Sequence, residues 1–307
     1  MHNVVIIGGG CAGLSAGIYC ARSDLDPIIF VGDFTNQGGL LTKTSIVENF
    51  PGFIEIEGYD LVDNMQKQAI KYGAKIIGRN ITSIDFSKMP FSLMDDKGEV
   101  YYTKTVIIAT GSTPNKLKLI NEDQLWSKGI SSCAVCDGAL YRNKKIIVVG
   151  GGDSACEGAI FLTKFSQVTL VHRRDEFRAS KIMVNKVVNN PKINIIYNTV
   201  VSKLIGSDKL NSVVLKNVKT GEENTVDVDG LFYGLGLKPN SQLFKDVIYV
   251  NEDGYIEKVG TTFETMTSIE GVFVAGDVHD KIYRQAVVAC GDGCKAAMDV
   301  NNYLNGL

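Results

Sequence analysis

The sequence predicts an α/β protein made of two Rossmann-like dinucleotide-binding domains, with the second domain inserted in the first. A buried-strand run, a glycine-rich turn and a small-residue helix follow one another at residues 3–23, and the same pattern returns at 144–165. Each copy leads into a further strand, within 27–33 and 167–178, as a βαβ unit requires. The two copies lie too far apart for a short tandem repeat, which indicates a duplicated nucleotide-binding architecture.

Composition limits the class of protein. The 307 residues are 45% hydrophobic and 21% charged, which is typical of a packed globular chain with two domains of ordinary size. The net charge of −2 excludes a nucleic-acid partner, and the apolar runs are too short to cross a membrane. No secretory signal precedes the first strand, and the seven cysteines do not form an extracellular disulfide pattern. We therefore expect a cytoplasmic protein.

Two further strand-to-glycine junctions predict the domain boundaries. They lie at residues 105–114 and 230–240, and each carries a proline just beyond the glycine. The first domain is therefore expected to combine residues 1–113 with 240–307. The inserted domain is expected to span 114–239.

The first glycine turn, residues 8–13, has the G-x-G-x-x-G spacing. Gly8, Gly10 and Gly13 allow a tight turn, close approach to a pyrophosphate and close helix–strand packing. Asp33 follows the next strand, where an acid can meet a ribose hydroxyl or can simply be a solvated turn residue. Asp277 ends another buried strand and is a weaker candidate for holding a cofactor hydroxyl. This turn predicts a dinucleotide site.

The second glycine turn, residues 150–155, carries Gly150 and Gly152 and ends in Ala155, which the fingerprint tolerates. A basic group follows its second strand: His172, Arg173, Arg174 and, one helical turn further along, Arg178. An arginine fork grips the dianionic ribose 2′-phosphate bidentately, so the basic group predicts NADPH rather than NADH. The alternative is the solvated basic start of a helix.

Cys133 and Cys136 form a Cys-x-x-Cys pair between the two glycine turns. A structural zinc needs four ligands, and the other cysteines and histidines offer no second pair at the required spacing, so the pair predicts a redox dithiol and no metal. Asp137 could donate a proton to a departing thiolate if burial raises its pKa, or it could cap a helix beginning near Gly138. The remaining cysteines are interpreted as packing residues: Cys11, Cys20, Cys156, Cys290 and Cys294.

Together these residues resemble the low-molecular-weight thioredoxin reductases, from about residue 3 to residue 305. The resemblance is carried in order by GGGCAG, GGLLTKT, VENFPGF, IIATGS, CAVCDGA, GGGDSACE, HRRDEFRAS and VAGDVHDKIYRQAVVACGDGCKAAMD. It implies FAD in the discontinuous domain, NADPH and the dithiol in the inserted domain, and a homodimer. It also implies a large rotation of the inserted domain, because dithiol and nicotinamide take turns at one flavin face.

The resemblance also implies roles for individual residues. Cys136 would lie next to the flavin, Cys133 would attack the partner's disulfide, and Asp137 would be the acid–base residue. The implied FAD contacts are Gly8, Gly9, Gly10, Cys11, Ala12, Gly13, Asp33, Gly38, Gly39, Leu40, Asn49, Asp277, Arg284, Gln285 and Ala286. The implied NADPH contacts are Gly150, Gly152, Asp153, Ser154, Ala155, His172, Arg173, Arg174 and Arg178.

Three positions depart from the family pattern. Leu40 stands where a glutamine is usual, Cys11 replaces a common proline, and Gly158 replaces an acid. The expected activity is electron transfer from NADPH through FAD and the dithiol to oxidised thioredoxin. The alternatives are a related flavoprotein that reduces ferredoxin, a peroxidase or another disulfide protein, and a flavin-binding redox sensor. Ferredoxin-reducing members lack the dithiol, which disfavours that alternative.

Overall fold

The computed structural model describes residues 1–33, 37–44, 46–260 and 262–306. The chain divides into two compact units, Met1–Thr113 with Lys238–Leu307, and Pro114–Leu237. The second unit is thus inserted in the sequence of the first. No helix in the described part of the chain is both long enough and apolar enough to cross a membrane.

The elements are named in chain order. The strands are β1 (His2–Ile7), β2 (Ile28–Phe30), β3 (Ile46–Val47), β4 (Ile56–Glu57), β5 (Lys75–Ile77), β6 (Ile81–Asp85), β7 (Phe91–Asp95), β8 (Val100–Ile108), β9 (Ser112–Pro114), β10 (Ile130–Ser131), β11 (Ile146–Gly150), β12 (Val168–Val171), β13 (Ile193–Ile196), β14 (Thr199–Ile205), β15 (Ser212–Asn217), β16 (Glu223–Asp227), β17 (Gly230–Gly234), β18 (Leu237–Pro239) and β19 (Val272–Val274). The helices are α1 (Cys11–Arg22), α2 (Gly58–Lys71), α3 (Glu122–Leu125), α4 (Ala134–Asp137), α5 (Asp153–Leu162), α6 (Lys181–Val188) and α7 (Ala286–Leu304). Leu41–Lys43 and Gly138–Tyr141 are 3₁₀ turns.

A parallel sheet forms the centre of the first unit. Strands β5, β2, β1, β8 and β19 run parallel in that order, and β7 and β6 extend the sheet in antiparallel fashion from β8. The central strands β1, β2 and β19 carry continuous buried apolar runs, as expected where both faces of a sheet are covered. One core lies between the sheet and helices α1, α2 and α7, and a second core lies on the opposite face.

The second unit also has a parallel sheet, in the order β10, β17, β11, β12, β13. Helices α5 and α6 cover one face. The antiparallel sheet β14, β15, β16 supplies Val201, Leu204, Val213 and Leu215 to the core on the other face. The carboxyl ends of β1 and β11 lead into the two glycine turns, at residues 8–13 and 150–155. Ligands of open α/β sheets bind at this edge.

Candidate nucleotide and dithiol sites

The first glycine turn joins β1 to α1, and two of its glycines pack so closely against the backbone that no side chain fits there. A Cβ on Gly8 would stand 2.1 Å from the carbonyl oxygen of Ala109, and Gly8 has φ +123°. A Cβ on Gly13 would stand 1.8 Å from the carbonyl oxygen of Gly8. Any side chain at these two positions would push α1 away from the sheet. The sequence therefore has glycine here for packing.

Gly10 in the same turn is different. Its backbone is extended, it precedes α1 without a side-chain cap, and its Cβ would meet nothing closer than Gly38 O at 4.0 Å. Gly39 is equally open, since its Cβ would stand 4.0 Å from Gly10 Cα. The first N–H groups of α1 lack intrahelical partners and favour an anion. This open cradle fits the pyrophosphate of a dinucleotide.

The other predicted FAD contacts lie in separate segments of the first unit. Asn49 Nδ2 donates to Gln285 Oε1 at 3.3 Å, and Arg284 N donates to Asp280 Oδ2 at 2.8 Å, so Gln285 and Arg284 are held just before α7. Leu40 lies in the short segment that follows Gly39, where its carbonyl accepts from Thr44 Oγ1 at 3.1 Å. Asp33 is exposed after β2. The structure therefore brings Asn49 to Gln285 across a long stretch of sequence.

Asp277 follows β19 and is held by Ser112, whose hydroxyl donates to Asp277 Oδ2 at 3.2 Å. Burial raises the pKa of Asp277 to about 6, against the opposing effect of Ser112. A desolvated carboxylate at a strand end needs a further donor. A ribityl or ribose hydroxyl is a donor of this kind, so Asp277 fits the predicted contact with a cofactor hydroxyl.

Gln37 is a candidate that sequence reasoning missed. Its Oε1 is buried and has no hydrogen-bond partner among the residues that the structure describes. It directly precedes Gly38 and Gly39, two residues that adopt positive φ. A buried acceptor without a donor is costly, so a ligand that donates at this point would satisfy it. The sequence signal that could have identified Gln37 is its position beside a double glycine, close to Leu40, where the family usually has a glutamine.

In the second glycine turn, too, one glycine packs tightly against the backbone and another leaves room for a ligand. A Cβ on Gly150 would stand 2.4 Å from the carbonyl oxygen of Gly234, and a Cβ on Gly234 would stand 2.5 Å from Ala155 Cα. The turn, the end of β17 and the start of α5 therefore pack in direct contact. Gly152 has an extended backbone and precedes α5 without a side-chain cap. Its open face fits a second pyrophosphate.

The segment after β12 folds against this turn. Arg178 N donates to Gly151 O at 2.7 Å, and Ser180 N donates to Asp153 Oδ1 at 2.9 Å. The expected helical turn from Arg174 to Arg178 is wrong, because this segment is an irregular loop and α6 begins only at Lys181. Backbone bonds to the turn replace the helix, so the alternative of a basic helix start does not apply.

His172 and the three arginines have different surroundings. His172 is buried beneath the turn, stacked on Phe177, and its Nε2 lies 2.9 Å from the carbonyl oxygen of Glu176, to which it donates. Burial lowers the pKa of His172 and favours its neutral form. The exposed members of the basic group are Arg173, Arg174 and Arg178. The structure therefore separates a packing histidine from three accessible cations.

The dithiol lies at the end of β10. Cys133 and Cys136 are joined by a disulfide, with S–S 2.04 Å and Cα atoms 5.3 Å apart. Cys133 precedes α4, and its Sγ accepts from Cys136 N at 3.1 Å. Cys133 N donates to Ser131 Oγ at 3.0 Å, which ties the pair to the strand. Hydrogen bonding to a sulfur favours its negatively charged form.

Asp137 is the last residue of α4. Burial raises the pKa of Asp137, while the Ser131 hydroxyl opposes the shift. Its side chain does not cap the 3₁₀ turn that follows, so the expected capping role is absent. A carboxyl group that keeps its proton beside a dithiol can serve as an acid.

Most of the remaining cysteines pack as expected. Cys20 and Cys156 are fully buried, and Cys294 Sγ contacts Met298 Sδ at 4.0 Å. Within the described residues, no group of three or more histidines, cysteines and acids is placed to hold a metal ion.

Comparison with known proteins adds to this geometry. The pyridine nucleotide-disulphide oxidoreductase family matches residues 2–293. A thioredoxin reductase of Dictyostelium discoideum is 45% identical over 100% of this chain and 98% of its own. The chain belongs to the thioredoxin reductase family.

Solved structures of thioredoxin reductases agree with this assignment. The protein from Giardia duodenalis has a TM-score of 0.92 and 42% identity over 99% of both chains. The protein from Streptococcus pyogenes has a TM-score of 0.93 and 38% identity over 100% of this chain and 99% of its own. The predicted fold class and the resemblance to thioredoxin reductases are confirmed. As a thioredoxin reductase family member, the chain is an oxidoreductase that uses a flavin and a pyridine nucleotide.

Proposed function

We propose that this protein is an NADPH-dependent thioredoxin-disulfide reductase that uses FAD and the Cys133–Cys136 dithiol. The observation that carries the proposal is the Cys133–Cys136 disulfide directly followed by the half-buried acid Asp137, in a chain with two open glycine turns. When bound, the two cofactors would supply the electron pair that opens this disulfide. The names of the relatives indicate thioredoxin as the partner.

The first unit is the proposed FAD site. The open faces of Gly10 and Gly39 would hold the pyrophosphate, and Asp277 would accept from a hydroxyl of the cofactor. Gln37 Oε1, which has no donor among the described residues, would accept a hydrogen bond from the cofactor. The predicted contacts retained in this proposal are Gly8, Gly9, Gly10, Cys11, Ala12, Gly13, Asp33, Gly38, Gly39, Leu40, Asn49, Asp277, Arg284, Gln285 and Ala286.

The second unit is the proposed NADPH site. Gly152 would hold the pyrophosphate at the start of α5, and the exposed arginines would grip the 2′-phosphate. His172 would act by shaping the turn rather than by contact with the phosphate, because it is buried and neutral. The predicted contacts retained in this proposal are Gly150, Gly152, Asp153, Ser154, Ala155, Arg173, Arg174 and Arg178.

The dithiol residues have distinct proposed roles. Cys133 would attack the disulfide of oxidised thioredoxin, because the N–H of Cys136 points to its sulfur and favours a thiolate there. Cys136 would then attack the Cys133 sulfur of the mixed disulfide, which releases reduced thioredoxin and restores the Cys133–Cys136 bond. Asp137 would supply a proton to a thiolate as it departs.

Serine variants of the dithiol test this proposal. We expect Cys133→Ser and Cys136→Ser to bind the flavin and to lose NADPH-dependent thioredoxin reduction, because neither variant can cycle between dithiol and disulfide. Cys294→Ser, which lies outside both turns, is the matched control and should keep its turnover. Thioredoxin turnover that is unchanged in either active-site variant would contradict the proposal. NADPH consumption that does not depend on thioredoxin would instead indicate a sensor.

We further propose that the enzyme is a homodimer, as the family resemblance implies, and that it works in the cytoplasm, as its cysteine content favours. Light scattering of the purified holoenzyme measures the first part. A mass of twice the 33.4 kDa chain is expected. A single-chain mass at working concentrations would contradict it.

A further inference from the structure

Helices α1 and α7 cross at very short distance. A Cβ on Gly293 would stand 2.1 Å from the carbonyl oxygen of Ala12, so only glycine permits this approach. Ser15 Oγ donates to the carbonyl oxygen of Cys290 at 2.7 Å. The crossing thus fixes the second turn of α7 against the first turn of α1, which begins with Cys11.

Two thiols meet at this crossing. Cys290 Sγ lies 3.8 Å from the carbonyl oxygen of Cys11, and the two thiols hydrogen-bond to each other. Both are free, Cys11 is 7% exposed, and Cys290 is half-buried. Cys294 lies one turn further along α7 and contacts Met298 instead. Cys290 therefore meets Cys11, which is distant in sequence, and not Cys294 on its own helix.

We propose that Cys11 and Cys290 are a second redox-active dithiol, which hydrogen peroxide closes into a disulfide between α1 and α7. The Cys290 sulfur lies against the Cys11 backbone and the two side chains share a hydrogen bond, so closure would proceed by rotation about the side-chain bonds. The link would join the helix that begins in the first glycine turn to the helix that follows Gln285. It would therefore connect two elements of the proposed FAD site.

The environment of the two thiols assigns their order of reaction. The hydrogen bond from the Cys11 thiol holds the pKa of Cys290 below its usual value, although burial opposes this. The same hydrogen bond, with burial, raises the pKa of Cys11 well above its usual value. Thiolates are the reactive form, and Cys290 is also the more accessible of the two. Cys290 is therefore the residue that attacks the peroxide. Cys11 then attacks the oxidised Cys290 sulfur and closes the disulfide.

The reaction balances with one peroxide. The Cys290 thiolate attacks one oxygen of hydrogen peroxide, the O–O bond breaks, and a sulfenic acid and one water result after protonation. The Cys11 sulfur then attacks the sulfenic sulfur, the S–O bond breaks, and the hydroxyl leaves as a second water with the Cys11 proton. The two thiols lose two electrons in total, and the peroxide gains them. A reducing thiol such as dithiothreitol reverses the bond.

Peptide mapping of the holoenzyme tests this inference. The wild-type protein is treated with stepwise additions of hydrogen peroxide, unfolded, alkylated and digested. We expect a dithiothreitol-sensitive peptide that links Cys11 to Cys290, and alkylation only at Cys20, Cys156 and Cys294. Alkylation of Cys11 and Cys290 in the peroxide-treated protein, or a Cys290 sulfinic acid with no linked peptide, would overturn it.

A pair of variants sharpens the test. Cys290→Ser should lose the linked peptide and leave Cys11 open to alkylation, whereas Cys294→Ser should keep the link. A link to Cys11 that survives in Cys290→Ser would overturn the pairing. If Cys290→Ser folds poorly, the peptide map of the wild-type protein still tests the pairing of Cys11 with Cys290. Because the readout is a covalent bond in the first unit, its failure would leave the proposed reductase activity untouched.

Discussion

The guanidinium of Arg178 lies over the second glycine turn at Gly152. Its Nη2 is 3.6 Å from the position that a Cβ on Gly152 would take. The backbone N–H of Arg178 donates to Gly151 O at 2.7 Å, so the cation is anchored to the turn by its own main chain. A fixed cation at the open face of a helix start is well placed for a phosphate group.

This arrangement predicts coenzyme selectivity. Arg178→Ala should raise the KM for NADPH by about tenfold or more, since a hydrogen bond to a charged group contributes roughly 1.5–3 kcal/mol. The KM for NADH should change little, because NADH lacks the 2′-phosphate. Steady-state kinetics with both coenzymes measure the effect. Arg142→Ala is the control, because the Arg142 guanidinium lies over Phe165 elsewhere in the second unit. Equal losses with both coenzymes would contradict a 2′-phosphate contact.

The two kinds of glycine in the first turn predict two kinds of defect. Gly10→Ala should fold normally, since its Cβ comes no closer than 4.0 Å to any atom of the described residues, and should lose at least about tenfold in FAD affinity. Gly13→Ala should destabilise the protein itself, since its Cβ would stand 1.8 Å from Gly8 O. Flavin content and thermal unfolding of the apoprotein separate the two defects. Normal FAD affinity in Gly10→Ala would rule out the proposed cradle.

The pKa of Asp137 predicts a pH dependence. Burial raises this pKa, so the carboxyl group keeps its proton to a higher pH than an exposed aspartate does. The protonated form is the donor, so dithiol turnover should fall as the pH rises through the raised pKa. Asp137→Asn should lower thioredoxin turnover by about 10²-fold and should remove this part of the pH profile. Asp208→Asn, an exposed position in the same unit, should follow the wild-type profile. An unchanged profile in Asp137→Asn would exclude the acid role.

A buried hydrogen bond predicts a stability effect in the second unit. Tyr233 OH donates to Glu122 Oε1 at 2.7 Å, and Glu122 also accepts from Leu117 N at 2.8 Å and Lys118 N at 3.0 Å. Tyr233→Phe should lower the free energy of unfolding by about 1–2 kcal/mol, because it removes one bond to a buried carboxylate. Denaturant unfolding measures this loss. Tyr249→Phe, at an exposed position, should show no change. An equal effect in both variants would contradict the expectation.

Local patterns in the sequence were sufficient for the fold class and the dithiol. Continuous apolar strands and the glycine spacing at residues 8–13 and 150–155 predict strand–turn–helix units, because each pattern is complete within a short stretch of the chain. The Cys133–Cys136 spacing is local for the same reason. The sequence therefore led to the family before any contact between distant residues was known.

The roles of residues that meet across the fold needed the structure. His172 looked like a member of the basic group, yet it lies beneath the turn and stacks on Phe177. Gln37 stands beside the double glycine, but only the packed structure shows that its buried Oε1 has no hydrogen-bond partner among the described residues. Such environments depend on neighbours that are distant in sequence, which periodicity and spacing do not encode.

The sequence by itself determined two glycine turns, each between a strand and a helix, and one Cys-x-x-Cys pair, because the spacing of these residues is local to the chain. Only the tertiary structure decided which turn positions are open, which cations are exposed, and that Cys11 meets Cys290. The physical reason is that these features arise from the crossing of α1 with α7 and from the order of strands in each sheet. Both bring together groups that are far apart in sequence.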